Sequence, residues 1–222
     1  NEQVRDLGVN VIDVCMDSNV VDTTETLREV VHRQTMDFPG AMSLDSFAID
    51  ALIEAVKVYP GRPIVNSISM EEVAPGRTKL DAVVSATRQH DPVYIGLCTG
   101  PKGPGSTRAE KYEIAKQIYE TARDRYGVRP VQLFIDVNVF PLGSESVEGM
   151  NFAVESLEGV AMVKTLHPDI RTVVGVGNLT NGLAKKPYMR LVLTSVWLDE
   201  ARKRGLDAAI VNPNHYVFVK DL

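Results

Sequence analysis

Cysteine is scarce in this chain: its 222 residues contain two, Cys15 and Cys98. Two thiols so far apart make neither a disulfide framework nor a thiolate metal cluster. Both read as buried, inert thiols, so no metal is expected. The four histidines, His32, His90, His167 and His215, are scattered, which excludes the His/Asp clusters of a metal hydrolase. The first three read as surface residues. His215 follows a strand end and could line a pocket. Positive charge is not in excess. The net charge of −5 gives no electrostatic reason to expect nucleic acid or an anionic membrane surface. No apolar run nears the roughly 18 residues that span a bilayer. No signal peptide opens the chain. A glycine-rich phosphate loop after an early strand is missing too, as are repeats and low-complexity tracts. The expectation is a soluble, cytoplasmic protein of one domain over residues 1–222. An apolar content of 44% is ordinary for such a protein.

Short apolar runs recur along the chain. They are NVIDVCM (10–16), AMSLDS (41–46), PIVNSI (63–68), PVYIGLC (92–98), VQLFIDV (131–137), TVVGVGN (172–178) and AAIVNP (208–213). Each is short and rich in Val, Ile and Leu, as buried parallel strands are. Amphipathic stretches separate them. In TRAEKYEIAKQIYETARDRYG the residues Tyr112, Ala115, Ile118, Tyr119 and Ala122 recur at helical spacing, and Gly127 supplies a stop. SVWLDEARKRG repeats the pattern, with Gly205 closing the helix. Strands alternating with crossover helices predict an α/β fold with a parallel sheet. Seven such strands predict a TIM (β/α)8 barrel whose first strand precedes Asn1, since the barrel runs to about 250 residues. The opening NEQVRDLG reads as the tail of a helix, so the domain is expected to be incomplete at its N-terminus. The competing fold is an open doubly wound sheet.

Polar residues gather where the runs end. Asp13 and Asp17 close the first, Asp45 the second, Asn66 the third, and Cys98 with Thr99 the fourth. Asp136 and Asn138 close the fifth, Asn178 the sixth, Asn212 and Asn214 the seventh. Any one of these is accounted for by a turn or a helix cap. Asp45, Asn66, Asp136 and Asn178 together, one per strand, point instead to the site face of a parallel barrel, where the C-terminal strand ends meet. Such a ring lacks the glycine amides and arginines that phosphate wants. It suits a flat heterocycle with several hydrogen-bonding groups, such as a pterin. A carboxylate matches two adjacent ring donors, and an amide matches a mixed edge.

The stretches IVNSISM, SLDS, FIDVNVFPLG, GVGNLTNGL and AAIVNP, in that family's order, resemble the pterin-binding methyltransferase family. That family includes methyltetrahydrofolate:corrinoid/iron–sulfur protein methyltransferase and the folate-binding domain of cobalamin-dependent methionine synthase. The resemblance covers nearly the whole chain. It implies pterin-recognition roles for Asp45, Asn66 and Asp136. It implies that Asn178 hydrogen-bonds N5 of the methylated folate. Asp13 matches an acidic position of the family, Asn181 a further polar pocket position, and Lys186 falls near a position where relatives often carry Arg. Dihydropteroate synthase shares the fold but is matched less well. Its second acidic residue after the Asn66 position is Ser67 here, and its Ser-Arg-Lys motif is absent from GNLTNG.

What the resemblance implies is transfer of the N5-methyl group of methyltetrahydrofolate to cobalt(I) of a corrinoid. The corrinoid, cobalamin or a relative, would be supplied by a partner protein or another domain, since nothing in the chain reads as a cobalamin-binding domain. The loop CTGPKGPGSTR (98–108) either shapes the approach of that acceptor or is a mobile surface loop. Two other readings stay open: a dihydropteroate synthase-like condensation, and a non-catalytic folate-binding module. A homodimer is compatible with all three.

Overall fold

The computed structural model describes residues 6–37, 40–145 and 149–222. The chain forms two compact units, Asn1–Gly96 with Ile118–Leu133, and Leu97–Gln117 with Phe134–Leu222. Of the helix tail expected over 1–8, Asp6 and Leu7 are helical, and residues 1–5 lie outside the described residues.

In the first unit four parallel strands follow chain order: β1 (Val11–Cys15), β2 (Ala41–Asp45), β3 (Ile64–Ile68) and β4 (Val93–Leu97). Helices α1 (Thr23–Asp37), α2 (Ile49–Val58) and α3 (Lys79–Thr87) connect them. The register explains the composition of the strands. Val14, Leu44, Val65 and Tyr94 are successive partners and form one apolar row, buried throughout. The next row along, Cys15–Asp45–Asn66–Ile95, lies on the opposite face because side chains alternate along a strand. Asn66 therefore does not end its strand. It is the third of five residues, on the face opposite Val65. Helix α2 buries the stripe Ala51, Leu52, Ala55 and Val56. Helix α3 starts in a capping box, Thr78 accepting from the Asp81 amide while the Asp81 carboxylate accepts from the Thr78 amide.

In the second unit β5 (Leu133–Asp136), β6 (Arg171–Gly175) and β7 (Ala208–Ile210) are again parallel and in chain order. Helices α5 (Phe152–Val163) and α6 (Pro187–Lys203) join them. Helix α4 (Arg108–Tyr126) precedes β5, and its residues are divided between the two units. It ends where expected: Gly127 has φ +70° and donates to the Arg123 carbonyl. The last two strands are shorter than the apolar runs. After β6 the backbone tightens into a 3-10 turn over Val176–Thr180, and after β7 the Asn212 side chain caps another over Pro213–His215.

Neither unit contains the reversal of strand order that defines a doubly wound sheet. Seven parallel strands among the described residues, each followed in sequence by a helix or a helical turn, give the fold class: the (β/α)8 barrel. No helix of the described residues is long and apolar enough to cross a membrane.

Candidate active site

The first unit collects Asp13, Asp17, Asp45, Asn66 and Lys79. Asn66 donates from Nδ2 to Asp13 Oδ1 at 3.5 Å, and Asp45 is its register partner. Burial, and next the neighbouring Asp13 carboxylate, push the Asp45 carboxyl up to about 6. Asp17 anchors the turn after β2. It accepts from Ser46 Oγ at 2.6 Å and from the Phe47 amide at 2.7 Å. Lys79 is buried at the first position of α3 and donates to the Ser46 carbonyl at 3.3 Å. Burial pushes its ammonium downward, while Glu71, Asp45 and Asp17 favour the charged form. Cys15, expected to be buried, is exposed. It is the last residue of β1, in register with Asp45 and on the same face.

The second unit is built around Asp136, the last residue of β5 and only 7% exposed. Its Oδ1 accepts from the Asn138 amide at 2.8 Å and its Oδ2 from the Gly175 amide at 3.3 Å. Burial pushes the carboxyl up to about 6, against the pull of these two amides and of Lys111. Asn138 sits at φ +56°, a backbone state that asparagine tolerates better than most residues. Its side chain donates to the Cys98 carbonyl at 2.7 Å and to Thr99 Oγ1 at 3.2 Å. Cys98 is buried as expected, and burial pushes its thiol strongly upward, which suits an inert role.

Lys111, fully buried in the first turn of α4, donates three hydrogen bonds. The acceptors are the carbonyls of Gly105 at 2.8 Å, Val137 at 2.7 Å and Asn138 at 3.0 Å. Its Nζ also lies 4.7 Å from the Phe140 ring centroid. Burial lowers its pKa to about 8, so it remains an ammonium at neutral pH. Gly159 leaves room for it, since a Cβ there would lie 3.0 Å from Lys111 Cδ, a tight contact. The loop 98–108 is consequently pinned rather than loose. Thr99–Gly100 pairs with Gly103–Pro104, and the Gly105 amide returns to the Cys98 carbonyl at 3.0 Å.

A cavity of about 350 Å³ opens in the second unit. Gly175, Asn178, Arg190, Thr194, Ile210 and His215 are among its walls. Asn178 is exposed in the 3-10 turn after β6, and Asn181 donates to its Oδ1 at 3.4 Å. The Gly175 amide links this wall to Asp136. Lys186 is exposed at the N-cap of α6 and is not a wall residue. Arg190, one turn further on, is. Each unit thus brings part of the expected set together: Asp13, Asp45 and Asn66 in one, Asp136, Asn178 and Asn181 in the other.

Carboxylates and amides on and just after the strands of a (β/α)8 scaffold are suited to a hydrogen-bonding heterocycle. Comparison with known proteins gives the family. The model of the pterin binding enzymes matches residues 1–212, and the chain belongs to that family. It is 27% identical over 211 residues to the methionine synthase of Mycobacterium tuberculosis, covering 95% of this chain and 17% of that protein. It therefore spans only 17% of that relative's length. Among solved structures it resembles the dihydropteroate synthase of Yersinia pestis with a pterin–sulfa conjugate. There the TM-score is 0.65 at 16% identity, over 96% of this chain and 81% of that one. The 7,8-dihydropteroate synthase of Vibrio fischeri gives 0.66 at 15%, over 96% and 80%. At such identities the likeness establishes the fold and leaves the reaction open.

Proposed function

We propose that this chain binds methyltetrahydrofolate and passes its N5-methyl group to cobalt(I) of a corrinoid held by a partner protein or by another domain. The observation that carries the reading is the sequence likeness to methionine synthase along 95% of the chain, against structural likenesses to dihydropteroate synthases that speak to fold alone. Asp136 then accepts from the ring N–H and amino donors of the pterin. Its two backbone hydrogen bonds hold the carboxylate in place before the pterin arrives. In the first unit Asp45 and Asn66 keep the pterin roles that the resemblance implies, with Asp13 behind Asn66.

The chemistry needs help at N5. The methyl–N5 bond breaks, the methyl carbon goes to the acceptor, and the electron pair stays on nitrogen, which must take a proton to leave as a neutral amine. The acceptor supplies the nucleophile. Asn178 cannot ionise, so its part is to orient N5 and stabilise N5–H as it forms, the proton coming from solvent. Such a bond acts mainly in the transition state. Asn178→Ala should therefore slow methyl transfer by about 10²–10³ and keep pterin affinity within roughly tenfold. Stopped-flow detection of methylcobalamin formation, beside calorimetry with methyltetrahydrofolate, reads both quantities. An unchanged transfer rate removes Asn178 from the chemistry.

A further inference from the structure

The cavity of the second unit contains a cation that the methyl-transfer scheme does not use. Arg190 lies in the first turn of α6, its amide bonded to the Lys186 carbonyl at 3.1 Å. Its Nη2 is 3.2 Å from His215 Nδ1. A guanidinium only donates, so Nδ1 accepts, and the imidazole hydrogen belongs on Nε2. The Arg190 Nε–H is buried and has no hydrogen-bond partner. Among the described residues no acidic side chain is in the cavity wall and Arg190 makes no ion pair. Buried cationic donors are normally paired, because losing water without a replacement acceptor costs free energy. An anion would supply both the missing acceptor and the missing counter-charge. The remaining walls fit a flat apolar body that carries it: Val176, Ile210 and Val211 are apolar, and Thr180, Thr194 and Asn212 are polar but uncharged.

We propose that Arg190, braced by His215, recognises a carboxylate of the aminobenzoyl-glutamate tail and so makes the chain select a folate over a bare pterin. This rests on the pterin reading above. The tail of methyltetrahydrofolate leaves the ring carbon next to N5. Asn178, assigned to N5, and Gly175, bonded to Asp136, are both in the wall that Arg190 completes.

The test is calorimetry with two ligands, methyltetrahydrofolate and a 5-methyltetrahydropterin lacking the aminobenzoyl-glutamate, on the wild type, Arg190→Gln and Asp136→Asn. A charge-assisted hydrogen bond corresponds to about tenfold to a hundredfold in affinity. Arg190→Gln should lose that factor for the folate and bind the bare pterin within about twofold of wild type. Asp136→Asn should weaken both ligands. If Arg190→Gln leaves folate affinity unchanged while Asp136→Asn weakens both, the inference fails and the pterin reading stands. If the wild type binds neither ligand, both fail. Competition in the wild type guards against a misfolded variant. Aminobenzoyl-glutamate should displace the folate, and inorganic phosphate at the same concentration should not. Equal displacement by phosphate would mark a general anion site and overturn the proposal.

Discussion

Replacing Lys111 by methionine keeps most of the length and volume of a fully buried side chain but removes its three donors. The carbonyls of Gly105 and Val137 then lose their donor, while that of Asn138 keeps Ser156 Oγ at 2.9 Å. An unsatisfied buried polar group costs about 1–3 kcal/mol. Part of that is offset, because the variant no longer buries an ammonium, so a net loss of roughly 2–4 kcal/mol is expected for the two carbonyls. Against a typical total of about 5–15 kcal/mol, this is a large fraction of the stability. Urea unfolding followed by circular dichroism measures it. Two of the three carbonyls directly follow Asp136, and the Asn138 amide holds its Oδ1, so pterin affinity should fall as well. Lys111 also carries a pH signature. Its folded pKa of about 8 lies below the ordinary 10.5, so its favourable contribution is present above 10.5 and lost as pH falls through 8. The wild type should gain stability over that window, and Lys111→Met should lack the slope. A variant within about 1 kcal/mol of wild type at neutral pH would refute the reasoning, since the three bonds would then carry no net weight.

Two further outcomes concern the carboxylates. Asp136→Ala should weaken methyltetrahydrofolate binding by roughly 1.5–3 kcal/mol per charged hydrogen bond, and calorimetric affinity within twofold of wild type would remove Asp136 from the site. Asp136 and Asp45 both have folded pKa values of about 6, above the ordinary 3.8. Their stability contribution is present below 3.8 and lost as pH rises through 6, whereas a pterin N–H needs the ionised carboxylate. Between pH 7.5 and 5, affinity should therefore drop about tenfold or more while these two groups make the free protein more stable. Parallel trends in calorimetry and thermal melts would contradict that assignment.

The strand positions were readable because buried parallel strands are short runs of branched apolar residues, and the polar strand-end residues interrupt those runs. The register shows why one strand can hold both Val65 and Asn66: adjacent positions face opposite ways, and each belongs to a row of its own kind. Less readable were the cations. Lys79, Lys111 and Arg190 look like solvated helix residues. Yet each begins the buried stripe of its helix at helical spacing: Lys79 with Val83 and Thr87, Lys111 with Ala115, Ile118 and Ala122, Arg190 with Thr194, Trp197 and Ala201. A long polar side chain at the head of an apolar stripe is the signal that was available. It was missed because composition alone assigns lysine and arginine to the surface. The anchoring of the loop after β4 was unreadable for a related reason, since its glycines and prolines conceal the bond from Lys111 to Gly105.

The central claim is the reaction, and one paired assay addresses it. The wild-type protein is given methyltetrahydrofolate with cob(I)alamin in a stopped-flow cell. In parallel it is given a dihydropterin pyrophosphate with p-aminobenzoate. The account predicts methylcobalamin in the first and no dihydropteroate in the second. Dihydropteroate without methylcobalamin would contradict the account and assign the chain to condensation. Tight pterin binding with neither product would reduce it to a folate-binding module.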